Sequence, residues 1–302
     1  MSNTHDRHMT PPRAVPTLAV PVEAASETAV PRLPTIVVSS WKGGVWKTCL
    51  SASIAERLAF AGLDLLYLVT DDQLDARRRL GISESDPDVA RVGRGSGSVT
   101  VVGLAGPHAV ELLYRSGPGR FGRFDGIVVD TPPVRKGGSL PGVLLVAPTD
   151  GDDASANLIR MLRATPANTE IVLVRIDRVP NSEWAHDAGV IAEASNHSER
   201  LLYLPDTLPR TDEVRDALNR GRSVWTLARR GATRVFLQGV ESLAGVAWSR
   251  IRPDTALPPL ASMGAASPSS SSNASRKVMS PAFSMPLDEK LGTATRSSLA
   301  YG

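Results

Sequence analysis

The residues best placed to do chemistry are Trp41-Lys42-Gly43-Gly44-Val45-Trp46-Lys47-Thr48. The run follows an apolar stretch, Thr35–Ser39, and opens a stretch of helical period. A glycine-rich loop in that position turns its backbone N–H groups toward phosphate oxygens. The helix N-terminus adds partial positive charge. Lys47 then reaches the outer phosphates of a nucleotide, and the Thr48 hydroxyl is a ligand for Mg²⁺. Gly43, Gly44, Val45, Trp46, Lys47, Thr48 and Cys49 form the candidate cradle.

The elements around the loop follow from hydrophobic pattern. Strands are expected at Thr35–Ser39, Leu63–Thr70, Val99–Leu104, Gly126–Asp130, Val143–Ala147, Ile171–Ile176 and Leu201–Leu204. Helices are expected at Thr48–Ala61, Ala109–Tyr114, Asp152–Arg163 and Ser182–Ala194, and through Thr211–Ile251 with breaks near Gly221 and Gly231. Continuous Val/Ile/Leu strands alternating with helices imply an α/β fold: a mostly parallel sheet with helices on both faces.

With those elements in place, the sequence resembles the deviant Walker A ATPases, the ParA/MinD group of P-loop NTPases. Their loop reads KGGxGK[ST], with the extra lysine at Lys42. Phe124-Asp125-Gly126-Ile127-Val128-Val129-Asp130-Thr131-Pro132-Pro133 resembles that group's FDxVxxDTPP segment. Val69-Thr70-Asp71-Asp72-Gln73 lies where the group has DxDPQ. Leu144–Thr149 and Leu204-Pro205-Asp206, each before a helix, resemble its later strand–helix units. The likeness spans about residues 34–251.

The resemblance implies ATP and Mg²⁺ as cofactors, with Lys42 crossing to the nucleotide of a partner subunit. It implies Lys47 as the phosphate lysine and Asp71 as a residue positioning the attacking water. Asp130 would sit near the metal and Pro205 near the nucleotide. It further implies an ATP-dependent homodimer that binds DNA without sequence preference, and a ParB-type partner that stimulates hydrolysis. The function expected on this basis is partition of a plasmid or chromosome.

Three positions depart from the pattern. Trp46 replaces the glycine before Lys47, and Val69 and Asp72 replace the first aspartate and the proline of DxDPQ. Three readings compete for Trp46: its indole turns outward and ATP binds, nucleotide binds weakly with poor hydrolysis, or the protein works without ATP. The last gives an alternative function, a DNA-binding scaffold on the same fold, for instance in conjugative transfer. A MinD-like positioning ATPase is a further alternative, against which stands the missing amphipathic C-terminal helix.

Arg210, Arg215, Arg220, Arg222, Arg229, Arg230 and Arg234 crowd the C-terminal helical region, and Asp216 is the one acid within 215–234. Such a patch can neutralise DNA phosphates, and Arg215, Arg220, Arg222, Arg229, Arg230 and Arg234 are the candidates. The competing reading is a solvated helical face with salt bridges to Asp212, Glu213 and Asp216. Arg77-Arg78-Arg79 reads as a solvated helix face. Cys49 reads as a small buried helix residue, with thiol activation by the helix N-terminus as the alternative.

Composition excludes several classes. The chain has 302 residues, 42% hydrophobic and 22% charged, with a net charge of +3. No apolar run approaches the ~20 residues of a membrane span. The N-terminal stretch lacks the apolar core of a signal peptide. The single cysteine excludes an intrachain disulfide or a multi-cysteine metal site. A cytoplasmic, nucleoid-associated location without membrane contact is expected. Residues 1–33 read as a Pro-rich disordered arm, 34–252 as the ATPase-like domain and 253–302 as a Ser/Pro-rich tail. Within that tail Arg276–Leu291 could serve as a partner-binding peptide.

Overall fold

The computed structural model describes residues 33–70, 75–83, 89–103, 123–132, 144–150, 153–166, 169–177, 183–196 and 200–260. The expected helix at 109–114, Asp71 and most of the two tails lie outside the described residues.

Short apolar runs build the sheet. Its strands are β1 (Thr35–Val38), β2 (Asp64–Val69), β3 (Val89–Arg94), β4 (Gly97–Gly103), β5 (Gly126–Asp130), β6 (Leu144–Thr149), β7 (Glu170–Asp177), β8 (Leu201–Tyr203) and β9 (Leu208–Pro209). The order across the sheet is β3-β4-β2-β5-β1-β6-β7-β8, with β9 beside β7. β3 and β4 pair antiparallel as a hairpin, and the other pairs are parallel. β1 pairs with β5, Val38 opposite Asp130, and with β6, Val38 opposite Val146. β1 is therefore central, and the loop that follows it emerges between the ends of β5 and β6.

The helices are α1 (Lys47–Phe60), α2 (Asp75–Arg79), α3 (Asp153–Arg163), α4 (Trp184–Ser195), α5 (Asp212–Asn219) and α6 (Gly231–Ile251), with a 3₁₀ turn at Val224–Thr226. Alternation along the strands divides the core in two. Ile36 and Val38 of β1 join α1, α2, α5, the 3₁₀ turn and α6 on one face. Val37 joins α3 and α4 on the other. α1 lies under α6 and is buried on nearly all sides, including the polar Ser51, Ser53, Glu56 and Arg57. Their polar atoms find partners, as burial demands, apart from Arg57 Nη1, which has none. Ser53 Oγ donates to the Cys49 carbonyl, and Arg57 pairs with Glu241 of α6. Glu56 accepts from Arg94 Nε at 2.6 Å and from Ser223 Oγ at 2.8 Å. Among the described residues no helix is long and apolar enough to cross a membrane.

Several features differ from the pattern-based expectation. The β3 strand was not anticipated. It carries Arg91 and Arg94 and is half exposed, so it lacks a continuous apolar run. Its pairing rests on the two-residue turn at Gly95-Ser96 (φ 59° at Gly95) and on Arg91 meeting Asp64 at 3.0 Å. The arginines of α2 do not form a solvated face. Arg77 is 6% exposed, Arg79 donates to Cys49 Sγ at 3.3 Å, and only Arg78 is exposed. Residues 253–260, which composition places in the tail, lie against the core. Trp248 Nε1 donates to the Thr255 carbonyl at 2.9 Å, and Leu257 and Leu260 pack on the α1–α6 cluster.

Candidate functional site: the phosphate loop and the arginine rim

The loop runs from the end of β1 into the first turn of α1. Gly44 adopts φ 74°, and Trp46, the residue before α1, adopts φ 58° and ψ 24°. Both lie in the left-handed region, which is open to glycine and costs about 1–2 kcal/mol for a residue with a Cβ. At Gly43 and Gly44 a Cβ would meet nothing within 4 Å, so this stretch of the loop is exposed backbone facing open space. Val45 is buried and anchors the loop from below.

The Trp46 indole packs toward α6. It is half-buried against the α1–α6 cluster and meets the Phe236 ring edge-on, centroids 5.8 Å apart and planes at 67°.

The two loop lysines do different things. Lys47 is 7% exposed, and its Nζ donates to the Lys42 carbonyl at 3.0 Å, which places the ammonium within the loop. Lys42 is half-exposed. Its Nζ lies 2.9 Å from Asp150 Oδ1 at the end of β6, and Asp150 is also bound by Arg210. This Lys42–Asp150–Arg210 cluster was not legible in the sequence. A carboxylate directly after the β6 run is the one signal that could have pointed to it.

The acidic side of the loop lies at the end of β5. Asp130 is 1% exposed. Its carbonyl accepts from Thr70 N at 3.1 Å and Thr70 Oγ1 at 2.8 Å, while Thr131 Oγ1 donates to the Val38 carbonyl at 3.0 Å. These bonds lock the ends of β1, β2 and β5 to one another. Beneath them Tyr67 is fully buried. Ser51 Oγ donates to the Thr48 carbonyl at 3.2 Å and shares a 2.6 Å hydrogen bond with the Tyr67 hydroxyl. Burial first, and then the Asp130 charge, raise the Tyr67 pKa well above its ordinary value, so the phenol keeps its proton.

A nucleotide with a divalent cation fits the residues present. The exposed backbone at Gly43 and Gly44 offers N–H donors, Lys47 supplies a buried cation, and Thr48 and Asp130 are hard oxygen donors. Thr48 is half-buried at the start of α1, and Cys49 is buried just behind it. Pro205 is exposed after β8, some distance along the chain from the loop.

The arginine candidates lie on the elements of the α1 face. Arg215 pairs with Asp212 at 2.7 Å, and Arg230 approaches Glu213 at 3.8 Å. Arg220, Arg222, Arg229 and Arg234 are exposed and meet no carboxylate among the described residues. Of the six candidates, Arg215 and Arg230 are thus engaged with carboxylates.

The sequence matches no protein-family model and no curated protein. Solved structures do share its fold. The MinD of the Aquifex aeolicus MinC:MinD cell division complex superposes with a TM-score of 0.53 at 18% identity, over 70% of this chain and 96% of that one. An ATP complex of a Cyanothece McdA variant gives 0.53 at 17%, over 72% and 96%. The pNOB8 ParA gives 0.51 at 16%, over 74% and 100%. With the loop, the strand order and these superpositions together, the chain has the α/β P-loop fold of the ParA/MinD-type ATPases.

Proposed function

We propose that the chain is a ParA-like ATPase that binds MgATP as a dimer and holds DNA without sequence preference. The observation that carries this reading is the phosphate loop: an exposed glycine stretch, a buried Lys47 and a buried Asp130 at the adjoining strand end. In this reading Gly43, Gly44 and Val45 present backbone N–H groups, Lys47 holds the outer phosphates, and Thr48 and Asp130 serve the metal. Lys42, drawn from Asp150, reaches the nucleotide of the partner subunit. Asp71 orients water. When bound, MgATP supplies the phosphoanhydride whose cleavage ends the dimeric state.

Arg220, Arg222, Arg229 and Arg234, with Arg215 and Arg230, contact DNA phosphates. A DNA-bound ParB-type partner stimulates hydrolysis, and a plasmid or chromosome is the cargo. The pNOB8 ParA relative, sharing this fold, is itself a protein of that name. Residues 34–252 form the working domain, and the location is the cytoplasm, on the nucleoid.

The test is MgATP titration of the full chain, followed by retention of duplex DNA with and without MgATP. Expected are saturable nucleotide binding and DNA retention that falls steeply with salt, each lost phosphate contact flattening the log–log slope by ~0.9. Charge reversal at Arg220, Arg222, Arg229 and Arg234 should abolish retention. Retention that survives those changes removes the patch from the reading.

A second reading, a nucleotide-independent DNA-binding scaffold, is favoured by the left-handed Trp46 in place of glycine. DNA retention indifferent to MgATP, in a chain that binds no nucleotide, would establish it.

A further inference from the structure

The phosphate loop carries a non-glycine residue in a conformation that favours glycine, and the structure contains the group that compensates. Trp46 sits at φ 58° and ψ 24° immediately before α1. Its indole meets Phe236 of α6 in an edge-on contact, and Phe236 is completely buried. Edge-to-face aromatic pairs are directional and are stabilised beyond their buried area. The contact therefore favours one orientation of the Trp46 side chain, and through it one backbone conformation.

We propose that Phe236 is a positioning residue of the phosphate loop: its ring seats the Trp46 indole and so holds the loop in its left-handed turn into Lys47. The proposal rests on the nucleotide reading above. Rotation of the backbone at residue 46 would turn the N–H of Lys47 and shift the start of α1, the two features on which anion binding depends. With glycine at 46 the turn needs no anchor. Phe236 therefore matters to nucleotide binding only while residue 46 bears a side chain. The same contact joins the loop to the helix that begins after Arg230 and carries Arg234.

The test measures MgATP affinity calorimetrically in four full-length proteins: native, Phe236→Leu, Trp46→Gly and the double variant, each checked for folding by circular dichroism. Loss of the aromatic pair should weaken binding about 2–10-fold in Phe236→Leu. Trp46→Gly should bind at least as tightly as native, and the double variant should match Trp46→Gly within about twofold. Trp46→Ala leaves α6 untouched, keeps the left-handed demand and loses the ring. It should weaken binding as Phe236→Leu does.

Equal losses from Phe236→Leu in both backgrounds would mark Phe236 as a mere core residue and overturn the positioning role alone. Native affinity in Trp46→Ala, or binding that appears only with glycine at 46, overturns it as well. No MgATP binding in any of the proteins overturns the nucleotide reading itself.

Discussion

Replacing Glu241 by alanine isolates the tie between the phosphate-loop helix and the arginine-bearing helix. Arg57 on α1 has no exposed side-chain surface. Its Nε donates to Glu241 Oε2 at 2.7 Å and its Nη2 to Oε1 at 2.5 Å, with a further bond from Nη2 to the Pro258 carbonyl at 2.5 Å. Removing the carboxylate leaves a buried guanidinium with one carbonyl acceptor. Breaking a buried pair from one side costs about 3–5 kcal/mol. The Glu241 side chain is 35% exposed, so solvent already screens part of the attraction, and the lower end, about 3 kcal/mol, is expected.

In urea, followed by far-ultraviolet circular dichroism, that loss lowers the midpoint by about 1 M. The reasoning assigns the loss to the orphaned charge and not to packing. Arg57→Met combined with Glu241→Leu fills the same space without a charge and should recover most of the stability. If Glu241→Ala lies within about 0.5 kcal/mol of native, or if the double variant is as unstable as the single one, the argument fails.

Other outcomes follow from single sites. Glu56 is buried between Arg94 and Ser223, and burial raises its pKa above the ordinary 4.5. The folded state thus holds the proton longer than the unfolded chain. Relative to Glu56→Gln, native stability should fall as pH rises above 4.5, measured by denaturant titration across the acid range. Gly44→Ala meets open space and carries only the left-handed penalty, about 1 kcal/mol, whereas Gly97→Ala drives its Cβ to 2.3 Å from the Leu63 carbonyl and should be several times more damaging in thermal melts. Asp150→Asn frees Lys42 and Arg210. It should tighten MgATP binding by roughly the ~1 kcal/mol of a partly exposed ion pair, about fivefold, and more so at low salt.

The parts of the fold legible in the sequence are those whose signal is local. β1, β5 and β6 read directly because each is a continuous apolar run with both faces covered, and β5 was placed to the residue. The helices Lys47–Phe60, Asp212–Asn219 and Gly231–Ile251 read from their period and their breaks at Gly62, Gly221 and Gly231. The requirement for an unusual backbone at Trp46 was visible as a departure from glycine. Where the indole goes was not, because Phe236 lies on α6, 190 residues along the chain from Trp46. β3 escaped for the same kind of reason. Its arginines are answered by Asp64 and Glu56, which belong to other elements. Arg77 and Arg79 read as solvent-facing from their type, yet α2 turns them inward. The cluster of Lys42, Asp150 and Arg210 joins three segments that share no motif.

The central position of β1 has a consequence for synthesis on the ribosome. The strand pairs only with β5 and β6, both encoded far downstream, and the loop after it draws on Asp150 and Phe236. Phe236 leaves the exit tunnel about 190 residues after Trp46, roughly 10–40 s later at ordinary elongation rates. The loop after β1 is thus among the first of the described residues to be translated and among the last to be completed. Until β5 and β6 emerge its apolar strand lacks both partners, and a chaperone that holds extended apolar segments would find a client site there.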